Sequence, residues 1–289
     1  MEMISSSLSH MLEKYRGQRL ALLTKHGKEH VIAPLFERQL GCSVALVDSY
    51  DTDQLGTFTR DIPRTESQLA TARTKALIAI ERSGMSVGIG SEGSFVPDPF
   101  AGLMPWNLEI VVLIDTDLGL EIIGEAQGPG NHQHLVSNDW EEIRRFAEIV
   151  GFPKQHLVVR SESHEVPNII KGLSEWIVLE DACKQRLLRE PAIFVETDGR
   201  AHGNPMRMQM IGRATEDLLK KIQSPCPACG SPGFSVSHRI PGLPCSSCGA
   251  PTRLIQAEVF ICQRCSNKTV LPKDGSQYAD PQWCDFCNP

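Results

Sequence analysis

Read for hydrophobic periodicity, the chain alternates short apolar runs with amphipathic stretches. Residues 19–23 form the first run of strand length. A polar turn follows, Thr24-Lys25-His26-Gly27-Lys28, then a helical pattern to Leu40 whose apolar face is Ile32, Leu35, Phe36 and Leu40. Residues 43–48 predict a second strand, 49–65 a polar connection holding Asp51, Asp53 and Arg60, and 66–82 a helix with Leu69, Ala72, Ala76, Ala79 and Ile80 on one stripe. A third run at Val87 leads into a glycine-dense turn, Gly88-Ile-Gly-Ser-Glu-Gly93. Residues 108–114 and 120–124 read as a hairpin, and 128–134 as a loop. Ser137 and Asn138 cap a helix to Val150. Residues 156–159 are a buried strand, 160–168 a polar loop, 174–189 a helix and 192–195 another apolar run. Asn204 and Pro205 are the cap and first residue of a helix to about Ile222. Residues 1–17 read as an extension, with Ser5-Ser6-Ser7 capping a short helix through Tyr15. The alternation predicts an α/β body over residues 19–223, after an extension at 1–18 and before a smaller domain at 224–289.

That last segment follows another logic. It holds eight of the ten cysteines, as four Cys-x-x-Cys pairs: Cys226/Cys229, Cys245/Cys248, Cys262/Cys265 and Cys284/Cys287, with gaps of 15, 13 and 18 residues. A tetrahedral zinc ion takes four thiolates, and two knuckles at such spacing close one site. Four knuckles predict two structural zinc ions. The simplest pairing is sequential, the first four cysteines on one ion and the last four on the other; a crossed pairing is the alternative. Gly230, Gly249, Ser266 and Asn288 follow the knuckles, where positive φ is often needed. Nothing at the start resembles a secretion signal, so zinc is preferred to disulfides and a cytoplasmic location is expected. So few large apolar groups could hardly fold this segment without metal. Cys42 and Cys183 read as packed core thiols.

Composition adds two limits. No apolar run reaches the ~20 residues of a membrane helix. The formal charge of −6 falls further once eight thiolates and two zinc ions are counted, which argues against broad nucleic-acid binding. Local protein or nucleic-acid contact through the ribbons stays open.

The chemistry-bearing residues gather in three places. The turn after the first run offers Thr24, Lys25 and Lys28 at a helix start, where α/β proteins hold phosphate. Glu92 is a lone carboxylate among glycines, suited to a divalent cation beside phosphates. Residues 196–208, Glu-Thr-Asp-Gly-Arg-Ala-His-Gly-Asn-Pro-Met-Arg-Met, crowd Asp198, Arg200, His202, Asn204 and Arg207 between a strand end and a helix start. Arg200 and Arg207 could neutralise phosphate oxygens and His202 could act as acid or base; a structural network of Asp198 with Arg200 and a capping Asn204 is the rival reading. His132 and His134 lack a nearby third ligand.

Two resemblances follow from these motifs. Ala72-Arg73-Thr74-Lys75-Ala76 and Gly88-Ile89-Gly90-Ser91-Glu92-Gly93, after a Lys-containing turn, make residues 19–160 resemble the inosine-triphosphatase-like superfamily, nearest the branch that hydrolyses deaminated purine nucleoside triphosphates with magnesium. The resemblance implies a three-layer α/β body with a mixed sheet, magnesium on Glu92, and Lys28, Arg73 and Lys75 facing phosphates. The Pro-rich stretch after Phe95 and the zinc tail depart from that pattern. The 196–208 segment joined to a double ribbon resembles a bacterial family of unknown function, which implies no activity. The expectation is a divalent-metal-dependent phosphohydrolase acting on a nucleotide or related ester, with Glu92, Lys28, Asp198 and His202 catalytic. The alternative is a non-catalytic nucleotide-binding module whose ribbons dock protein or nucleic acid.

Overall fold

A computed structural model describes residues 13–56, 65–162 and 169–289. The expected Ser5–Ser7 cap, Arg60 and most of the 160–168 loop lie outside the described residues.

The first unit is a five-stranded mixed sheet in the order β2-β1-β3-β4-β5: β1 (Arg19–Leu23), β2 (Ser43–Val47), β3 (Val87–Pro97), β4 (Pro105–Asp115) and β5 (Leu120–Pro129). β1 runs parallel to β2 and β3, whereas β3, β4 and β5 form an antiparallel meander. Two crossover helices, α1 (Glu29–Leu40) and α2 (Gln68–Ser83), link the parallel strands. Strand period 2 sends alternate side chains to opposite faces. Leu20, Leu22 and Ile89 thus share a core with Ile32 and Phe36 of α1, while Ala21 and Leu23 pack with Ala79 of α2 on the other face.

The second unit is an antiparallel sheet in the order β6-β9-β7-β8: β6 (His134–Ser137), β7 (Leu157–Ser161), β8 (Ile170–Leu173) and β9 (Ile193–Thr197), with α3 (Trp140–Val150) and α4 (Trp176–Leu187). Its core joins Ile143 and Ala147 of α3, Leu179 and Cys183 of α4, and Val159 and Val195 of the strands. α5 (Pro205–Ile222) then returns to the first sheet, where Ile211 and Leu218 join the core shared with α1. Cys42 and Cys183 are buried, as expected. No described helix is long and apolar enough to cross a membrane.

Two expectations are corrected here. The glycines at 88–93 do not make a turn: β3 runs straight through them. A Cβ at Gly88 would fall on the Ala76 carbonyl, and one at Gly90 on the Ala72 carbonyl. Their absent side chains let α2 lie directly on the strand. Residues 13–15, placed in the extension, form a 3-10 turn whose Tyr15 is fully buried and hydrogen-bonds Asp115.

The tail adds a three-stranded sheet of β10 (Ser235–Pro241), β11 (Ile255–Ile261) and β12 (Lys268–Pro272), in that order. It docks at the outer edge of β5, where Gln263 accepts from the Glu121 N–H at 3.1 Å and donates to the Glu121 carbonyl at 2.7 Å. α5 completes the cover: Lys221 donates to the Ile123 carbonyl, and Asp217 accepts from the Glu125 N–H. Side chains thus occupy edge groups that would otherwise invite another strand.

Candidate functional site

The first turn, α2, the third and fourth strands and the start of α5 bring buried charged residues around Lys28. Lys28 begins α1 and is 6% exposed; its Nζ donates to the Ser91 carbonyl at 3.2 Å and Oγ at 3.1 Å. Lys75, on α2, donates to Glu92 Oε2 at 2.5 Å. Arg207, on the first turn of α5, is 1% exposed and forks onto Glu109 of β4, with Nε to Oε1 at 2.6 Å and Nη2 to Oε2 at 3.1 Å. Its Nη1 donates to the Gly199 carbonyl. Asn107 donates to Glu109 Oε1 at 3.1 Å, which orients that carboxylate further. Gly93 lies against both Arg207 and Glu109, on the face of β3 opposite the one from which Glu92 meets Lys75; Lys28 is within electrostatic reach of both pairs.

These charges act on one another. Burial pushes Lys28 down to about 7; Lys75 and Arg207 add repulsion, while Glu92 and Glu109 oppose the fall. Among the described residues Lys28 bonds no carboxylate.

The 196–208 segment sits between β9 and α5. Asn204 caps α5, accepting from the Arg207 N–H at 3.1 Å, with Pro205 at the first position. Asp198 is fully buried and holds Arg200 in a bidentate pair. Burial acts to raise Asp198, but its bonds to Arg200 outweigh it and leave the carboxyl below its usual value. His202 is exposed, 5.3 Å by ring centroid from His26 and 5.8 Å from His156. Partial loss of water contact lowers His202 and His156, with Arg200 adding repulsion, and fuller burial takes His26 to about 4, which favours the neutral form of each ring.

The structure therefore brings together Lys28, Lys75, Glu92 and Arg207, with Thr24 buried at the end of β1. It takes Lys25 elsewhere, onto Asp51 and Asp53 at the surface, and pairs Arg73 with Glu121 at 2.6 Å. His132 and His134 stack separately on Phe95 and Phe194. Sequence reasoning missed Glu109, although a lone acid inside the apolar run 108–114 was a visible signal. It also missed His26 and His156, which nothing local distinguishes.

The eight tail cysteines form two groups whose donor atoms lie within 4.8 Å of one another: Cys226, Cys229, Cys262 and Cys265, and Cys245, Cys248, Cys284 and Cys287. Either group could hold a metal ion. The pairing is crossed, which corrects the sequential expectation. The register of β10 with β11 sets Ser235 opposite Ile261 and draws the first knuckle to the third. The bridge between Cys245 and Ala279 draws the second to the fourth. Gly230, Gly249 and Ser266 take positive φ of 73°, 73° and 57° as the knuckles require.

A family model described as Domain of unknown function (DUF6671) matches residues 75–289. No curated protein and no solved structure matches the chain.

Proposed function

We propose, for a chain that belongs to the DUF6671 family, that the buried charge cluster binds a phosphate-bearing small molecule, a nucleotide or related ester, and that the protein hydrolyses it. One observation carries this reading: among the described residues, Lys28 lies buried within electrostatic reach of two ion pairs, Lys75–Glu92 and Arg207–Glu109, so three cations face two carboxylates there. Excess buried charge is costly unless something balances it, and phosphate oxygens accept charge-assisted hydrogen bonds well. Among the described residues Lys28 is the cluster cation with no carboxylate bound to it, and it would meet the phosphate first, with Thr24 at the end of β1. Arg200 follows Gly199, whose carbonyl accepts from Arg207, and is oriented by Asp198 with its guanidinium against Gly172; it would reach the phosphate only from that side. His202, neutral and exposed, would accept a proton from the attacking water or pass one to the leaving oxygen. The strand order β2-β1-β3-β4-β5, with a lysine after β1 and an acid on β3, supports the inosine-triphosphatase-like resemblance and its three-layer body.

Magnesium does not fit at Glu92 as it stands. A hard cation needs about six oxygen ligands, and Glu92 already holds the Lys75 ammonium at 2.5 Å. No step is routed through it. Zinc does fit the cysteine groups: four soft donors converge in each, and such closed sites stabilise a fold without offering a position to substrate.

Steady-state hydrolysis of nucleoside triphosphates by the zinc-loaded chain tests the reading. We expect K28M to raise KM and H202A to lower kcat by about 10²-fold or more. A second reading, a binding module with the ribbons as its contact face, is favoured by the closure of Glu92 and Glu109 on their own cations and by the exposed Tyr278, Trp283 and Phe286. Thermal stabilisation by nucleotide without turnover selects it. Neither turnover nor stabilisation rejects both.

A further inference from the structure

Three of the nine histidines meet beside the charge cluster. His26 lies in the turn after β1, His156 just before β7, and His202 in the 3-10 turn after β9. Their ring centroids stand 5.3 Å and 5.8 Å apart, with His202 in the middle. Packing does not call for this. Neither His156 nor His202 makes a side-chain hydrogen bond within the described residues, and Nδ1 of His156 is buried without a partner. Buried polar atoms are almost always paired, so an unsatisfied one in a ring that meets His202 edge-on, with His26 on the far side of His202, points to a ligand that binds nitrogen.

We propose that His26, His156 and His202 hold one divalent transition-metal ion, distinct from the cysteine centres. An imidazole nitrogen binds such an ion at about 2.0–2.1 Å, and the ring centre lies about 1.2 Å further out. Two rings on one tetrahedral ion therefore have centroids roughly 5 Å apart, close to both spacings here. His26 also has the outer partner that ligating imidazoles have. Its Nε2 stands 3.1 Å from Asp53 Oδ1; donating that N–H to the carboxylate leaves Nδ1 for the metal.

As the rings stand, only the cysteine groups have three or more donors within 4.8 Å among the described residues. Closing the site takes rotation of His202 about χ2, which breaks no hydrogen bond, and a shift of His156, whose Cγ and Nδ1 lie against Gly203. A set of neutral nitrogens selects zinc, cobalt, nickel or copper over magnesium and calcium, which take oxygen. Three protein ligands leave a fourth position for water or a substrate oxygen. The inference that this ion serves hydrolysis rests on the proposed phosphohydrolase, and a ligating His202 would then act through the ion and not as the free base described above; its binding does not rest on that reading.

The test is a cobalt(II) titration of the full chain carrying two zinc ions, followed by calorimetry and visible absorption. One further equivalent should bind, with the d–d bands of a nitrogen site and no thiolate-to-cobalt charge transfer. H202A, a change at an exposed residue, and H156A should each weaken that equivalent at least tenfold while both zinc ions are retained. D53N should weaken it by about 10–100-fold. No third equivalent, a thiolate band alone, or undiminished binding in H202A would overturn the proposal. Third-equivalent binding without any turnover would uphold it and reject the hydrolase instead.

Discussion

At Gly90 a missing side chain decides how close a helix can come. A Cβ there would meet the Ala72 carbonyl and the Ala76 amide of α2, groups fixed in a helix that cannot step aside. Replacing it with alanine should cost about 1–3 kcal/mol or more, read as a lower urea midpoint with an unchanged m-value. The same residue shows why part of the site was misread. Glycine signals either positive φ or close approach, and a run of three in six residues looks like a turn until the helix above it is known. Lys75 and Glu92 were legible as chemistry but not as partners, because their meeting depends on that helix–strand contact. Lys28 makes a second prediction. Its folded value of about 7 lies below the ~10.4 of an unfolded lysine. Between those values the unfolded chain binds more protons, so this residue adds stability as pH rises across that window and adds no further change beyond it. Urea midpoints from pH 7 to 10 should rise more steeply for wild type than for K28M.

Elements carried most of what the sequence revealed. The 3.6-residue stripes of α1 and α2 and the cap at Asn204 appear where periodicity put them, because each helix buries one face; the cap of α3 falls on Asp139, which accepts from the Glu141 N–H, and not on Ser137 or Asn138. β12 was missed, since 268–272 is largely exposed and shows no apolar alternation. The knuckle pairing was equally hidden: it follows from the register of β10 with β11 and from the Cys245–Ala279 bridge, both long-range. Metal counting separates the two pairings. In the crossed arrangement C226S/C262S removes ligands from one centre only and should retain one zinc per chain. In a sequential arrangement it would strip both. Mass spectrometry under non-denaturing conditions reads the difference.

For the whole molecule, the tail carries two cysteine groups able to hold metal and covers the edge of β5. Chelation should unfold residues 224–289 and expose the Glu121 backbone groups that Gln263 now occupies. Hydrogen exchange in β5 should quicken, while exchange in the four-stranded sheet, which shares no hydrogen bond with Gln263, stays as before. The charge cluster draws on the turn after β1, on α2, β3, β4 and α5, so only the complete body assembles it. That is why the sequence named its members without showing that Arg73 and Lys25 stand apart. The account turns on whether this cluster takes an anion. The most direct measurement is calorimetric binding of a nucleoside triphosphate to the zinc-loaded full chain, wild type against K28M, with R73A as the control whose charge is spent on Glu121. The account predicts saturable one-site binding that K28M weakens at least tenfold and R73A leaves unchanged. Absence of binding, or equal affinity in K28M, would contradict it.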